Sequence, residues 1–390
     1  MIEYKNIKIF TDDIDQKALS QLYELETTGI FEDKPIRIMP DVHAGAGCTI
    51  GTVIPFAGKV IPNIVGVDIG CGMRVVDLHT DKVDFDKLDK CIRKRVPSGR
   101  DVASFDDKAK QLISELYCKR ELKQHDRLEC SLGSLGGGNH FIEIDTDEQG
   151  NKYLVVHTGS RNLGKQVAEI YQEKAIKYCQ SVDTTALIQR CKAEGREQDI
   201  QSEIDKLKAS KPKLPRDLCY LEGKDMEDYL HDMRICQQFA VLNREKIVHT
   251  ICVGMRLQEK DFFESVHNYI GDDNIIRKGA IAAYEGQRVI IPLNMRDGCI
   301  IGVGKGNTDW NCSAPHGAGR RMSRSEAKQK LSLEKFQATM KGIYSTTVGK
   351  DTIDEAPMAY KPSEEIIELV QDTVNIEKII KPVYNFKAAE

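Results

Sequence analysis

Apolar residues from Ile36 to Leu78 come in short runs that glycine and proline interrupt, which is typical of buried strands joined by tight turns. The segment DFDKLDKCIRKRV that follows has the spacing of a helix. A glycine-rich stretch, Gly133 to Gly138, then leads into the strand pattern HFIEI, and a second strand pattern, KYLVVHTGSR, runs into a loop. These patterns predict a body that is rich in strands.

Helical spacing from Leu163 to Cys252 predicts a mostly helical insertion at about 163–252. Strand-and-turn patterns resume from Gly279 to Val303, and a C-terminal helix, Ser363–Val374, is expected to precede a short tail. The chain has neither an internal repeat nor a linker long enough to force a domain boundary. We therefore expect one α+β domain over residues 1–390, with a β-rich core, surrounding helices and the helical insertion.

Composition predicts a soluble intracellular protein, and we expect it in the cytoplasm without a membrane partner. Hydrophobic residues make up 41% and charged residues 30% of the 390 positions. There is no apolar stretch of about 18 residues and no signal-type N-terminus. The twelve cysteines are scattered along the chain, which favours reduced thiols over disulfides and leaves one or two of them as metal ligands.

The net charge of −4 excludes the global basic footprint of a non-specific nucleic-acid binder. Any nucleic acid therefore has to be held by a local basic patch. The candidates are Arg277, Lys278, Lys305, Arg320, Arg321 and Arg324. Because a short charge cluster is more often a solvated face, this patch alone is weak support for nucleic-acid binding.

Histidines provide the clearest chemical signal. Four of the nine lie in polar or glycine-rich contexts at the ends of strand patterns: His140, His157, His267 and His316. Asp68 and Cys71, three residues apart in VGVDIGCG, add a carboxylate and a thiol. These donors together suit Zn, Mn, Fe or Co and do not suit calcium. For any one residue a hydrogen-bonded turn or a small buried side chain is the simpler interpretation, but the shared context favours a metal site.

Seven motifs extend this picture: MPDVHAGAGCTIGTVIP, VGVDIGCGM, GGGNHFIEI, HTGSR, HNY, GKGN and HGAGRRMSR, in that order. Together they resemble the RtcB family of GTP-dependent RNA ligases, from about Met39 to Lys387. The resemblance implies the fold of that family. It also implies an activity that joins an RNA 3′-phosphate or 2′,3′-cyclic phosphate to a 5′-hydroxyl, in RNA splicing or repair.

The resemblance implies two Mn²⁺ ions and GTP as cofactors. The expected metal ligands are Asp68, Cys71, His140, His157 and His267, with the Cys71 thiolate bridging the two ions. The residues expected to contact GTP are Asn139, Glu143, His316, Tyr360 and Lys387, with Glu143 reading guanine. Arg161 and Arg320 are expected to hold phosphates of RNA or nucleotide.

His316 is the nucleophile in the reaction that the resemblance implies. GTP guanylylates this histidine, GMP passes to an RNA 3′-phosphate, and the 5′-hydroxyl of a second RNA displaces GMP, after any cyclic phosphate has been opened. Neutral imidazole is available for such an attack near pH 7. If GAGRRMSR opens a helix, Arg320 meets the phosphate beside the helix N-terminus. RNA and GTP are then the partners, and an activating protein is left open.

One stretch departs from the family pattern. Where many relatives carry a Pro-Gly-Ser-Met-Gly loop near the triphosphate, this chain has IPLNMRDGCI, with Asn294, Arg296 and Cys299. Either Arg296 supplies a charged contact in place of serine hydroxyls, or this is a branch with an altered nucleotide or RNA preference. We favour the second interpretation.

Three other functions compete with ligation. The metal site is also consistent with a cyclic phosphoesterase, with an end-capping guanylyltransferase, or with a non-catalytic RNA-binding metalloprotein. A hydrolase would not need His316 as a nucleophile, which separates the first from a ligase. A lysine-nucleophile ligase is disfavoured because its Lys-x-Asp-Gly signature is met only by MRDG, with Met295 in the place of lysine.

Overall fold

A computed structural model describes residues 1–78, 80–181, 184–210 and 214–388. The strands are β1 Ile2–Tyr4, β2 Ile7–Ile9, β3 Ile36–His43, β4 Ile50–Pro55, β5 Gly72–Leu78, β6 Phe141–Thr146, β7 Lys152–Thr158, β8 Glu259–Val266, β9 Tyr269–Ile270, β10 Ile275–Lys278, β11 Ala280–Ala282, β12 Arg288–Asn294, β13 Gly298–Gly304, β14 Ser313–Pro315 and β15 Val374–Lys387. The helices are α1 Gln16–Thr27, α2 Pro62–Val65, α3 Phe85–Arg95, α4 Asp107–Glu115, α5 His125–Glu129, α6 Arg161–Gln180, α7 Thr185–Ala193, α8 Ile200–Ser210, α9 Gly223–Met255, α10 Arg324–Lys330, α11 Leu333–Thr339 and α12 Ser363–Val370. Helices and strands are mixed, so the predicted α+β fold class is confirmed.

A seven-stranded antiparallel sheet forms the centre, in the order β12-β13-β15-β6-β7-β5-β8. It curls until its two edge strands meet. Arg288 Nη2 on β12 donates to the Phe262 carbonyl oxygen on β8 at 2.8 Å, and Ile290 N–H donates to Ser265 Oγ at 3.0 Å. The inner face of the curl is mostly apolar, as expected for side chains that alternate along each strand, and it also holds the buried carboxylates of Glu143 and Asp145. It is lined by Met73, Val75, Phe141, Tyr153, Val155, Ile290, Cys299, Ile301 and Ile380.

The predicted C-terminal tail is wrong, because Val374–Lys387 is strand β15 in the middle of this sheet, between β13 and β6. The preceding helix ends at Val370 instead of Val374. Pro382 lies inside β15, where a central strand normally excludes proline. The register shifts between Pro382 and Tyr384, and this irregularity accommodates a residue that has no N–H to donate.

A second sheet has the order β1-β2-β3-β4-β10-β9, with β2 and β3 parallel. A third, two-stranded piece pairs β11 with β14. β14 ends at Pro315, immediately before His316, and β3 carries Asp41, so these two pieces deliver the two residues to neighbouring positions. A large apolar cluster lies between the second sheet and helices α1, α6 and α9.

The helices between β7 and β8 are α6 to α9, spanning residues 161–255 except the undescribed 182–183 and 211–213. The longest, α9, buries Phe239 and Ile235 in the cluster against α6, and Ile247, Val248 and Ile251 in a second cluster against the curled sheet. It therefore bridges the two halves of the core. Within the described residues, no helix combines the length and the apolar character needed to cross a membrane.

Candidate active site

All five expected metal ligands lie at one edge of the curled sheet. Asp68 and Cys71 precede β5, His140 precedes β6, His157 is near the end of β7, and His267 follows β8. Strands β6, β7, β5 and β8 are consecutive antiparallel neighbours. The beginnings of β5 and β6 and the ends of β7 and β8 therefore meet at the same edge, although the ligands are dispersed over two hundred residues of sequence.

Their donor atoms converge. Cys71 Sγ lies 3.5 Å from His140 Nε2 and 3.4 Å from His157 Nε2. His157 Nε2 lies 3.4 Å from His267 Nε2, and His140 Nε2 lies 3.0 Å from Asp68 Oδ2. These atoms form two overlapping groups that share the thiol, namely Cys71 with His157 and His267, and Cys71 with Asp68 and His140. The arrangement offers Cys71 to both groups at once.

The far sides of two of these rings are fixed by the backbone. His140 Nδ1 lies 2.9 Å from the Leu135 carbonyl oxygen, and His157 Nδ1 lies 3.1 Å from the Asn139 carbonyl oxygen. When each Nδ1–H donates to its carbonyl oxygen, Nε2 is unprotonated and its lone pair faces the centre of the cluster. Proteins orient metal-binding histidines in this way. Burial lowers the pKa of His157 and His267 well below 6.5, so both rings are neutral near pH 7.

This donor set fits a pair of transition-metal ions. One thiol, three imidazoles and a carboxylate present lone pairs to one small volume, a combination that suits borderline metals. Burial and the Asp68 carboxylate raise the pKa of the Cys71 thiol, so ionisation of the thiol needs a cation beside it. We therefore regard this group as a candidate metal-binding cluster.

Two consecutive residues of α9 hold the loops that carry these ligands. Arg244 Nη1 donates to the Gly70 and Thr158 carbonyl oxygens, at 3.0 and 2.9 Å, beside Cys71 and His157 respectively. Asn243 accepts from the Gly133 and Ser134 N–H groups and donates to the Ser134 and Gly159 carbonyl oxygens. Both side chains are fully buried. They are positioning residues that sequence patterns alone do not reveal.

His316 is paired with a buried carboxylate. Its Nδ1 lies 2.6 Å from Asp41 Oδ2, and its backbone N–H donates to the same oxygen at 3.2 Å. When Nδ1–H donates a hydrogen bond to Asp41, Nε2 is unprotonated and its lone pair is available. The ring packs edge-on against His267, with 4.8 Å between ring centroids, so the predicted nucleophile adjoins the candidate metal-binding cluster.

The predicted nucleotide residues line one cavity of about 1160 Å³. Its walls include Asn139, Glu143, His157, His316, Tyr360 and Lys387. Glu143 on β6 is buried and accepts a hydrogen bond from Asn385 Nδ2. Burial raises the pKa of Glu143 above its ordinary value, against the opposing effects of Asn385 and Lys387.

Glu355 joins several of the cavity's basic residues and was missed by the sequence analysis. Its carboxylate accepts from Lys387 Nζ and Tyr360 Oη, both at 2.6 Å. Arg324 Nη1 lies 2.7 Å and Arg320 Nη1 3.1 Å from its other oxygen. Burial by itself would raise the pKa of Glu355, but these three positive charges outweigh burial and lower that pKa to about 2.

The two arginines predicted to hold phosphate lie in different places. Arg320 lines the cavity, where it also donates to the Met322 and Asp354 carbonyl oxygens. Arg161 begins α6 with a φ of +59°, and its guanidinium reaches Ser134 Oγ and the Gly99 carbonyl oxygen. It is absent from the lining of the cavity formed by the described residues. The structure therefore does not bring these two arginines together.

The conditional helix at GAGRRMSR is wrong. Gly319 has a φ of +77°, and Arg320 pairs with Tyr360 as an isolated β-bridge. The helix begins only at Arg324, where the Ser323 hydroxyl accepts from the Glu326 N–H at 3.2 Å. Arg320 therefore approaches the cavity from extended backbone.

Comparison with known proteins agrees with this geometry. The family model described as "tRNA-splicing ligase RtcB" matches residues 21–121 and 115–388. The chain is 30% identical to the RNA-splicing ligase RtcB of Escherichia coli K12, covering 97% of this chain and 96% of that protein. It is 28% identical to the tRNA-splicing ligase RtcB of Archaeoglobus fulgidus, covering 88% of this chain and 85% of that protein. The chain belongs to the RtcB family.

Within this RtcB-family chain, the departing IPLNMRDGCI segment forms the hairpin between β12 and β13. Arg296 is paired there with Asp297, through contacts of 2.6 Å from Nε and 2.8 Å from Nη2. Arg296 is not among the described residues that line the cavity, whereas Asn294 and Cys299 are. Because a carboxylate already engages its guanidinium, the first interpretation, a charged contact from Arg296 to nucleotide, is disfavoured.

Proposed function

We propose that this RtcB-family chain is a GTP- and Mn²⁺-dependent RNA ligase that works through a guanylylated His316. It would join an RNA 3′-phosphate or 2′,3′-cyclic phosphate end to a 5′-hydroxyl end. Its relatives are named as RNA-splicing and tRNA-splicing ligases, which supports an RNA ligase. The observation that carries the rest is the Asp41–His316 pair, which adjoins the cluster around Cys71.

Asp41 would keep the nucleophile in the productive tautomer. By accepting a hydrogen bond from Nδ1–H, it leaves Nε2 unprotonated and free to attack the α-phosphorus of GTP, and it stabilises the positive charge that develops on the ring. A P–N bond forms while the P–O bond to pyrophosphate breaks, so pyrophosphate leaves. A 3′-phosphate oxygen of RNA then attacks the same phosphorus and regenerates free His316. Finally the 5′-hydroxyl loses its proton, attacks the RNA phosphorus and displaces GMP.

Asp68, Cys71, His140, His157 and His267 would hold two Mn²⁺ ions, with Cys71 shared. When bound, these ions would neutralise charge on phosphoryl oxygens and orient the nucleophile against the leaving group. The chain's own contribution is a rigid set of donors. Backbone carbonyls fix His140 and His157, and Arg244 fixes the loops beside Cys71 and His157.

Glu143, Asn139, Tyr360 and Lys387 would form the nucleotide pocket. An ionised Glu143 can accept the N1–H and N2–H of guanine, a pattern that adenine lacks. Arg320 and Arg161 would contact phosphates, Arg320 from the cavity wall and Arg161 from beside the metal-ligand cluster. Their separation fits contacts to different parts of the nucleotide and RNA substrates.

Covalent labelling tests the proposal. Protein is incubated with Mn²⁺ and GTP labelled at the α-phosphate, and the label that stays with protein is measured after denaturation. Wild type should carry label that survives alkali and is lost in acid, as expected for a phosphorus–nitrogen bond. His316→Ala should carry none while it still binds metal. His249→Ala, an exposed histidine on α9, serves as the matched control and should label normally.

Labelled protein is then mixed with RNAs that end in 3′-phosphate and 5′-hydroxyl. A joined product supports the ligase, whereas RNA that stops at a 3′-terminal GMP indicates end capping. Opening of a cyclic phosphate without any protein labelling indicates a phosphoesterase. Label that persists in His316→Ala, or maps to a lysine, contradicts the proposed nucleophile.

A further inference from the structure

A second group of metal-ligating side chains lies inside the curled sheet, apart from the Cys71 cluster. Glu143 and Asp145 are two residues apart on β6 and therefore point to the same face. Cys299 on β13 reaches the same place from two strands away. One donor atom from each of the three lies within 4.8 Å of the others. Their exposures are 3%, 0% and 1%, so all three are buried.

The surroundings of these carboxylates are apolar. Phe141, Tyr153, Val155 and Ile380 belong to the cluster that fills the curl, and Cys299 itself is part of it. A carboxylate in such surroundings needs hydrogen bonds or a countercharge to remain ionised. Two adjacent carboxylates need them more, because their mutual repulsion adds to the cost of burial.

The described residues supply few hydrogen bonds and no ion pair to these two carboxylates. Neither oxygen of Asp145 has a hydrogen-bond partner, and the side-chain oxygen of Asn385, whose amide donates to Glu143, has none either. No lysine or arginine within the described ranges forms an ion pair with either carboxylate. Lys387 acts on Glu143 from a distance, but its ammonium is bonded to Glu355. Burial accordingly raises the pKa of Asp145 and of Cys299 well above their ordinary values.

A bound cation or a shared proton would resolve this imbalance, and the third donor distinguishes between them. A shared proton requires only the two carboxylates. A thiol beside them completes a set of one sulfur and two oxygen donors, which suits a borderline metal ion. Glu143 and Cys299 also line the large cavity, which provides an entry path and a direction for a fourth ligand such as water.

We propose that Glu143, Asp145 and Cys299 form a Zn²⁺ site inside the curled sheet. One thiolate and two carboxylate oxygens suit Zn²⁺, a borderline ion, whereas Mg²⁺ prefers oxygen ligands alone. Zinc neutralises the two carboxylates and takes the proton's place on Cys299, so binding releases protons. The proposal does not rest on the ligase activity, but it shares Glu143 with the proposed guanine pocket, so nucleotide is left out of the test.

Anomalous diffraction locates the ion directly. Crystals of the nucleotide-free full-length protein are grown with Zn²⁺, and data are collected above and below the zinc absorption edge. We expect a peak bounded by Glu143, Asp145 and Cys299, in addition to any peak at the Cys71 cluster. A peak at the Cys71 cluster with none at the second group overturns the proposal and leaves a shared proton as the explanation. This outcome is independent of whether the protein forms a guanylylated histidine.

Zinc stoichiometry provides the solution test. In a Cys71→Ala background, which removes the shared thiol of the other cluster, we expect dialysed protein to retain zinc at the second group. Adding Cys299→Ser or Asp145→Asn should remove one equivalent. Asp145→Asn is the safer variant, because it replaces an unpartnered buried carboxylate with a neutral amide of the same shape. The matched control is Cys312→Ser, a half-buried thiol outside the group, which should leave the stoichiometry unchanged. Equal zinc content in all four proteins contradicts the site.

Discussion

Two polar groups adjoin the large cavity, one around Glu355 and one around Cys71, and they differ in where the partners of their polar atoms come from. Around Glu355, one carboxylate accepts from Arg320, Arg324, Lys387 and the Tyr360 hydroxyl, so its partners all come from the chain. Around Cys71, five side chains direct lone pairs at one another. The first group surrounds a buried carboxylate with positive charge, whereas the second offers a set of donors to a cation.

The source of the partners therefore distinguishes the two groups more clearly than burial or residue type does. Glu355 stabilises the wall of the cavity, because its carboxylate is the common partner of Lys387, Arg320 and Arg324, and Arg324 also pairs with Asp354. Substitution of Glu355 should act mainly on folding, and substitutions of the donors around Cys71 should act mainly on metal binding and chemistry.

The largest effect should come from Cys71→Ala. Because this thiol is shared by both groups of donors, its loss weakens both metal positions together. Several kcal/mol of charge stabilisation would disappear, which corresponds to a loss of ligation of at least about 10³-fold. Metal content and joining of a 3′-phosphate RNA to a 5′-hydroxyl RNA are measured on the same preparation. Near-normal ligation by the variant with Mn²⁺ would show that Cys71 is not shared between metals.

Glu355→Gln tests how much the group around Glu355 contributes to stability. The substitution removes the common partner of Lys387 and Arg320 from a buried site, while Arg324 keeps its ion pair with Asp354, and we expect a loss of about 3 kcal/mol in the free energy of unfolding. Urea denaturation measures it. The control is Glu368→Gln on α12, an exposed position where the change should stay within about 0.5 kcal/mol.

Wild type and Glu355→Gln also allow a test of the pH dependence of stability. The pKa of Glu355 is lowered to about 2 in the folded state from 4.5, so its contribution is fully present above the unfolded value and is lost as the pH falls toward the folded one. The stability difference between wild type and Glu355→Gln should therefore shrink as the pH is lowered from 4.5 to 2. A difference that stays constant over this range would mean that Glu355 does not act through its charge.

The groups around Cys71 and Glu355 also differ in how much of each can be predicted from the sequence. The candidate metal ligands lie in short motifs beside glycine, so their chemistry is visible locally. Glu355 and Asp41 act through partners that are distant in sequence, and only the folded chain places Asp41 of β3 beside His316 after β14. Strand β15 is not predicted for a related reason. Pro382 is unusual in a central strand, and the pairing of β15 with β6 and β13 depends on distant segments.

Arg244→Lys should produce a smaller effect, on the metal affinity of the group around Cys71. Lysine keeps the charge but cannot span the carbonyl groups of Gly70 and Thr158 with the planar fork of arginine. The loops beside Cys71 and His157 should loosen, and metal affinity should fall roughly 10- to 100-fold, as for other groups that orient ligands. Metal titration measures this loss. The exposed Arg234→Lys on the same helix should show no change, and an equal loss there would point to a general effect on α9.

The smallest effect, on base preference, should come from Glu143→Gln. Glutamine fits the same space and can still accept from Asn385, but its amide presents a donor where guanine also presents donors. We expect the preference for GTP over ATP in histidine labelling to fall about tenfold, roughly 1.4 kcal/mol, because one charge-assisted hydrogen bond is lost and one amide is left unpaired. Labelling rates with the two nucleotides are compared at equal metal content, so that any effect of the second metal group is held constant. A matched substitution at exposed Glu148, on the loop after β6, should leave the ratio unchanged. Unaltered discrimination in Glu143→Gln would mean that another group reads the base, and Asn294 of the departing hairpin, which lines the same cavity, would be the next residue to substitute.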